Sequence, residues 1–306
     1  MSNSSFSPRS VKVKTNRGDI PFSVGYLANT LLSTGLSQET AYHDAYSISM
    51  GLVREGRELY TSDEIMDLTA SWYDEKNPKM ARRVRIIKED FNEIKPLVVL
   101  LGGVTGVGKS TLAQLFASRM GIKTLIGTDL IREVLRVTIS DDLLPALHTS
   151  SYVAHTKLDT SFLPAVSKII VGFEEQVQAV VVGIESAIEQ AITENEILVI
   201  EGVHLVPGII QKKLIRNKYV LPFQLVLDDE EMHWSRLARR ESRKQARATS
   251  YSTHFKEIRE IQEYLKQQAI RNHVELINLT NDEEALTTLI NRVWEKRLPP
   301  EGEESE

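Results

Sequence analysis

The stretch Leu97-Val98-Val99-Leu100-Leu101-Gly102-Gly103-Val104-Thr105-Gly106-Val107-Gly108-Lys109-Ser110-Thr111 decides the fold. Its first five residues are a continuous apolar run, the pattern of a strand covered on both faces of a parallel sheet. Gly103 to Ser110 then fits the spacing G-x-x-x-x-G-K-[ST], and Leu112, Leu115 and Phe116 open a helical pattern. A strand, a glycine-rich loop and a helix in this order make an anion site. Glycines let backbone N–H groups close on phosphates, and the helix N-terminus adds partial positive charge. Gly103, Thr105, Gly106, Gly108, Lys109, Ser110 and Thr111 are therefore expected to hold the triphosphate of ATP. Lys109 is its catalytic counter-charge, and the Ser110 hydroxyl belongs to a Mg2+ shell.

Outward from the loop, strands and helices alternate. Thr124 to Ile126, Ile197 to Ile200, Phe223 to Leu227 and Glu275 to Leu279 read as further parallel strands. Glu174 to Ile192 and Glu231 to Ala248 read as helices between them. The series predicts an α/β fold, a P-loop NTPase-type parallel sheet flanked by helices. Ile197 to Ile200 runs into Glu201, which is expected to reach Mg2+.

Asp129 follows the second strand, at the sheet edge where open α/β folds bind ligands. It is read both as a base for an acceptor hydroxyl and as the cap of a helix from Leu130. Arg132 and Arg136, four apart, share a helix face and suit a phosphate or carboxylate, or simply solvent. Arg236, Arg239, Arg240, Arg243 and Arg247 form a basic stripe, read as a lid over the transferring phosphate, with Arg239 and Arg240 catalytic. The bland reading is a solvated helix paired with Glu230, Glu231 and Glu241.

Upstream, Val11 and Val13 alternate with Lys12 and Lys14, Asn16 to Asp19 makes a turn, and three helical patterns follow. The third is capped at Thr61-Ser62-Asp63-Glu64. The expected division is a tail over 1–9, a hairpin-plus-helices domain over 10–94, the kinase-type domain over 95–298 and an acidic tail over 299–306.

The bulk numbers agree with a soluble enzyme. The 306 residues are 42% hydrophobic and 26% charged, with a net charge of -5 and no cysteine. No cysteine removes disulfides and thiolate chemistry and suits a cytoplasmic setting. A net negative chain without an interleaved aromatic ladder is not expected to bind nucleic acid, and no apolar run suits a membrane. A guanine-recognition reading of Asn217-Lys218-Tyr219 fails, because Val220 stands where the aspartate is required.

Gly102 to Thr111, Gly127 to Arg132, Glu201-Gly202-Val203-His204-Leu205-Val206-Pro207-Gly208 and the arginine stripe together resemble the 2-phosphoglycerate kinase family. Val11 to Arg17, Pro21 to Ser23 and Thr61 to Leu68 resemble the ATP-cone, a nucleotide-binding regulatory module. The resemblance implies phosphorylation of 2-phosphoglycerate to 2,3-bisphosphoglycerate, toward cyclic 2,3-diphosphoglycerate, with ATP and Mg2+. It implies Asp129 at the acceptor hydroxyl, and Arg132, Arg136 and His204 at the phosphate and carboxylate of a phosphorylated acid. Lys12, Lys14 and Arg17 would meet a second, regulatory nucleotide in the first domain, or form a solvated strand edge. His148 to Tyr152 also resembles a family stretch, without a role. Another small-molecule or nucleoside kinase and a nucleotide-sensing regulator stay open on the residues alone.

Overall fold

The computed structural model describes residues 11–92, 95–158, 167–243 and 251–298. The expected tails over 1–9 and 299–306 and Arg247 lie outside these, as does the side chain of Arg243. The chain separates into two compact units, one of residues up to 94 with those from Leu289 onward, the other Lys95–Thr288.

In the first unit, β1 (Lys12–Thr15) pairs antiparallel with β2 (Gly18–Pro21) through the expected turn. A short strand that the sequence pattern did not indicate, β3 (Leu59–Thr61), adds to β1 in parallel. Helices α1 (Val24–Ser33), α2 (Gln38–Arg54) and α3 (Ser62–Asp74) take up the three expected helical patterns, and a fourth, α4 (Pro78–Asn92), follows them. Thr61 caps α3 through the Glu64 amide, and the Glu64 carboxylate accepts from Thr61 N–H, a complete capping box. Leu27, Leu31, Ala45, Ile48, Tyr73 and Val84 meet in its core.

The second unit holds five parallel strands: β4 (Leu97–Gly102), β5 (Thr124–Gly127), β6 (Ile197–Gly202), β7 (Val220–Val226) and β8 (Glu275–Asn278). Their order across the sheet is β5-β6-β4-β7-β8. The loop-bearing β4 is thus central, and all six of its residues are buried, as the apolar run requires. Helices α5 (Lys109–Met120), α6 (Thr128–Thr138), α7 (Lys168–Thr193), α8 (Lys212–Ile215), α9 (Glu230–Arg243) and α10 (Phe255–Arg271) link them. Val180, Ile184 and Ile188 of α7 pack on Val98, Leu100, Leu198 and Ile200. Among the described residues no helix is long and apolar enough to cross a membrane.

The C-terminal helix α11 (Asp282–Arg297) departs from the expected division at 298. Its residues through Thr288 belong to the second unit, and those from Leu289 belong to the first. The reason is chemical. Trp294 is 1% exposed, and its indole N–H donates to Ser33 O at 2.7 Å. The buried Arg83 donates to Thr34 O and to Asn291 Oδ1, the latter at 2.8 Å. Two carbonyls at the end of α1 thus take donors from residues distant in sequence, which saves them from burial unpaired. We expect Trp294→Ala to lower the stability of the first unit by about 3–5 kcal/mol, read from the urea midpoint; a shift near zero would remove α11 from that core.

Candidate active site

The loop between β4 and α5 turns on Gly103, Gly106 and Gly108, whose φ angles are 155°, 86° and 111°. Three of its carbonyls are anchored by cations or ring donors. Lys109 Nζ donates to Val104 O at 3.3 Å, His233 Nε2 donates to Thr105 O at 2.9 Å, and Arg236 donates to Val107 O. In a trans peptide the N–H points opposite to the C=O. Fixing these three carbonyls therefore turns the N–H groups of Thr105, Gly106 and Gly108 the other way. None of the three donates a hydrogen bond among the described residues. The result is a nest of convergent donors for an anion, at the N-terminus of α5.

Lys109 is buried, and desolvation, the largest cause, pulls its ammonium below the usual lysine range; Arg240 adds to this, while Glu201 and Asp129 oppose it. Its Nζ lies 4.0 Å from Glu201 Oε2. The Ser110 hydroxyl donates to Glu201 Oε1 at 2.9 Å, while Oε2 accepts no hydrogen bond among the described residues. The paired β4–β6 register brings these groups together: Leu101 lies opposite Glu201, and Gly102 opposite Gly202. A hydroxyl beside a carboxylate with one unengaged buried oxygen is hard-oxygen chemistry that suits Mg2+.

Asp129 does not cap α6. The helix begins at Thr128, its cap is Gly127, and Asp129 sits in the first turn, exposed, without a hydrogen-bond partner among the described residues. It is close enough to act electrostatically on both Lys109 and His204. That leaves its carboxylate open to a ligand.

The structure places two of the expected substrate contacts elsewhere. His204 is fully buried, with Nδ1 2.8 Å from Thr128 Oγ1 and Nε2 3.0 Å from Gln176 Oε1. Gln176 Nε2 donates to Ala146 O and to Thr149 O, the latter at 3.0 Å. The amide is thereby oriented, so His204 Nε2–H donates to its oxygen and Nδ1 accepts from the Thr128 hydroxyl. Both ring nitrogens are taken, and none is left for a substrate. Arg132 is likewise occupied, donating to Leu147 O at 2.7 Å and Thr149 O at 3.1 Å and pairing with Glu133. His204, Gln176 and Arg132 hold the turn at 145–149, which gives the family-like His148 stretch a structural role. Arg136 is exposed and pairs with Glu133 at 2.7 Å.

In the stripe on α9, Arg240 donates to Thr105 Oγ1 at 3.1 Å, and Arg239 is exposed. Arg236 faces the loop and pairs with Asp282 at 3.1 Å. The sequence reading passed over His233 and Gln176. His233 lies three residues before Arg236 and seven before Arg240, so helical spacing was the signal that places it on their face. Gln176 was a polar residue on the apolar face of α7, between Phe173 and Val180.

Fold and site together define a nucleotide-dependent phosphotransferase of the phosphate-loop α/β class. No family model matches the chain. A 2-phosphoglycerate kinase from Methanopyrus kandleri is 35% identical over 297 residues, covering 96% of this chain and 90% of that one. One from Pyrococcus furiosus is 38% identical over 280 residues, covering 91% of each chain. Among solved structures, a shikimate kinase from Acinetobacter baumannii covers 69% of this chain and 99% of its own, at 14% identity and a TM-score of 0.42, too distant to transfer residue roles. The chain belongs to the 2-phosphoglycerate kinase family.

Burial pushes His204 down to about 4, with Asp129 opposing and Arg132 and Lys109 adding to the fall. A depressed folded value means the unfolded chain takes the proton first. Stability is therefore full above the unfolded value of about 6.5 and declines as pH falls toward 4, by at most about 1.4 kcal/mol per pH unit. We expect His204→Gln to flatten that part of the stability–pH curve in denaturant titrations; an unchanged slope would show that the relay does not control it.

Proposed function

We propose that the chain transfers the γ-phosphoryl group of ATP to the free hydroxyl of 2-phosphoglycerate, giving 2,3-bisphosphoglycerate, the first step toward cyclic 2,3-diphosphoglycerate. The observation that carries this is the loop whose carbonyls at Val104, Thr105 and Val107 are anchored and whose amides at Thr105, Gly106 and Gly108 are left undonated, beside an open carboxylate at Asp129, in a chain of this family. The turned-out amides and Lys109 bind and orient the phosphates. Ser110 and Glu201 would hold Mg2+, which supplies charge neutralisation at the phosphate oxygens. Asp129 accepts the proton of the attacking hydroxyl. Arg240, which reaches the loop at Thr105, and the exposed Arg239 beside it would oppose the negative charge that accumulates when a phosphorylated acid meets ATP; an arginine in this role is worth about 10³-fold or more in rate. Arg136 is the remaining cation on α6 for the acid's phosphate or carboxylate. Cytoplasmic location is part of this reading and rests on the absence of cysteine.

The test is ADP release with 2-phosphoglycerate, 3-phosphoglycerate and a panel of sugar acids. We expect acceleration by the first alone, and a loss of about 10³-fold or more in Lys109→Ala with the fold retained. Equal rates with another acid would replace the substrate, and a nucleotide-sensing role would follow if ATP bound tightly and no acceptor raised the rate.

A second, regulatory nucleotide in the first unit belongs to the same reading. Support comes from the ATP-cone resemblance and from a cavity of about 500 Å3 bounded by Val13, Thr15, Phe22, Tyr26, Thr30 and Asp63. Lys12 and Lys14 do not line it, because alternate residues of β1 face opposite sides. We expect two ATP per chain by equilibrium dialysis and one in Thr30→Trp, which fills the cavity. One ATP per wild-type chain would overturn the second site.

A further inference from the structure

The second unit contains a cavity of about 310 Å3 that takes no part in the phosphate site. None of the residues lining it belongs to the loop at 103–109, to α6 or to α9. It opens beside the face of the sheet, between β4 and β7 on one side and the segments around Leu205 to Arg216 and Arg271 to Val274 on the other. Leu100, Leu205 and Phe223 make an apolar floor, each 4% exposed or less.

Two features of that cavity are unexplained by folding. The first is Gln224, which is 1% exposed on β7 and lines the cavity. Among the described residues, neither its amide oxygen nor its amide nitrogen has a hydrogen-bond partner. A buried amide with both ends unpaired is costly, and a leucine of similar shape would avoid the cost. The fold nevertheless makes room for it. Gly102 lies opposite Gln224 in the ladder, and a Cβ on Gly102 would come within 2.5 Å of the Gln224 oxygen. The second feature is charge. Lys212, Arg216 and Arg271 are exposed among the lining residues, and no aspartate or glutamate is among them. The walls are pinned, since Asn272 Nδ2 donates to Pro207 O at 3.3 Å across the cavity's two bounding segments.

We propose that this cavity is a binding site for a small organic anion distinct from the phosphate-transfer site. Its carboxylate or phosphate head meets the basic rim, and a compact apolar body fills the floor. The far end presents a donor–acceptor edge to the Gln224 amide, which offers N–H donors at its nitrogen and an acceptor at its oxygen. Each part answers a feature of the cavity, and a purely apolar ligand would leave the amide and the rim unmatched.

The probe is 4-carbamoylbenzoate, which carries a carboxylate, a ring and an amide edge. The full chain is saturated with Mg2+ and a non-hydrolysable ATP analogue so that the phosphate loop is occupied. Methyl NMR signals of Ile210 and Ile215, which lie along the cavity, report binding. We expect saturable shifts with 4-carbamoylbenzoate, and binding at least about tenfold weaker with benzoate, which lacks the edge, and with benzamide, which lacks the charge. Arg216→Glu with Arg271→Glu is expected to weaken the probe by a further tenfold or so. Gln224→Leu is expected to lose the preference for 4-carbamoylbenzoate over benzoate while thermal stability holds or rises. Absence of shifts to about 10 mM probe would overturn the site. So would binding that is indifferent to the charge reversal, or a Gln224→Leu variant that loses stability and keeps the preference, since the amide would then serve the fold.

Discussion

The peptide orientation of the phosphate loop is the constraint on which the active site depends. A glycine-rich turn has many conformations, and most would scatter its amides. Here three carbonyls are each held by a side-chain donor, one by Lys109 at the start of α5 and two by His233 and Arg236 from α9. Because C=O and N–H are opposed in each trans unit, anchoring one sets the other. The amides of Thr105, Gly106 and Gly108 are thus aimed before any phosphate arrives, which reduces the ordering cost of binding. The helix that carries the arginines is in this sense part of the loop's own structure as well as a cover for it.

The same economy appears around Asp129. It is exposed at the first turn of α6, while its neighbour Thr128 is buried against His204. The relay from Thr128 through His204 and Gln176 to the carbonyls at 146 and 149 contains no net charge, because burial keeps His204 neutral. A neutral, fully paired relay is a stable support. It fixes the base of the helix from which Asp129 projects and leaves that carboxylate exposed. The polar groups of the site thus divide by burial: His204, Gln176 and Arg132 brace, while Asp129, Arg136 and Arg239 remain accessible.

The sequence revealed the parts whose reading needs only local pattern. The apolar run at Leu97 to Leu101, the loop spacing, and the strand ending in Glu201 gave the α/β class and the candidate nucleotide residues. Capping at Thr61 marked the start of α3, since a side-chain-to-backbone bond three residues apart is local. Substrate contacts were read less well. His204 and Arg132 have the chemistry of anion binders, and nothing in the one-dimensional pattern distinguishes a histidine aimed at a ligand from one whose two nitrogens are consumed by Thr128 and Gln176. The strand β3 was missed for a related reason: three residues make no period, and Leu59 to Thr61 is a strand only because β1 lies beside it.

What the sequence by itself determined is the set of groups that chemistry requires, namely a lysine, a hydroxyl and carboxylates at fixed spacing after apolar strands. Only the tertiary structure decided which polar groups face a ligand and which face one another. It also decided that the residues from Leu289 on complete the first unit through Trp294 and Asn291. The physical reason is that hydrogen-bond partners are assigned by proximity in space, and burial turns each unmatched donor or acceptor into a cost that the chain must settle with whichever residue folding brings near.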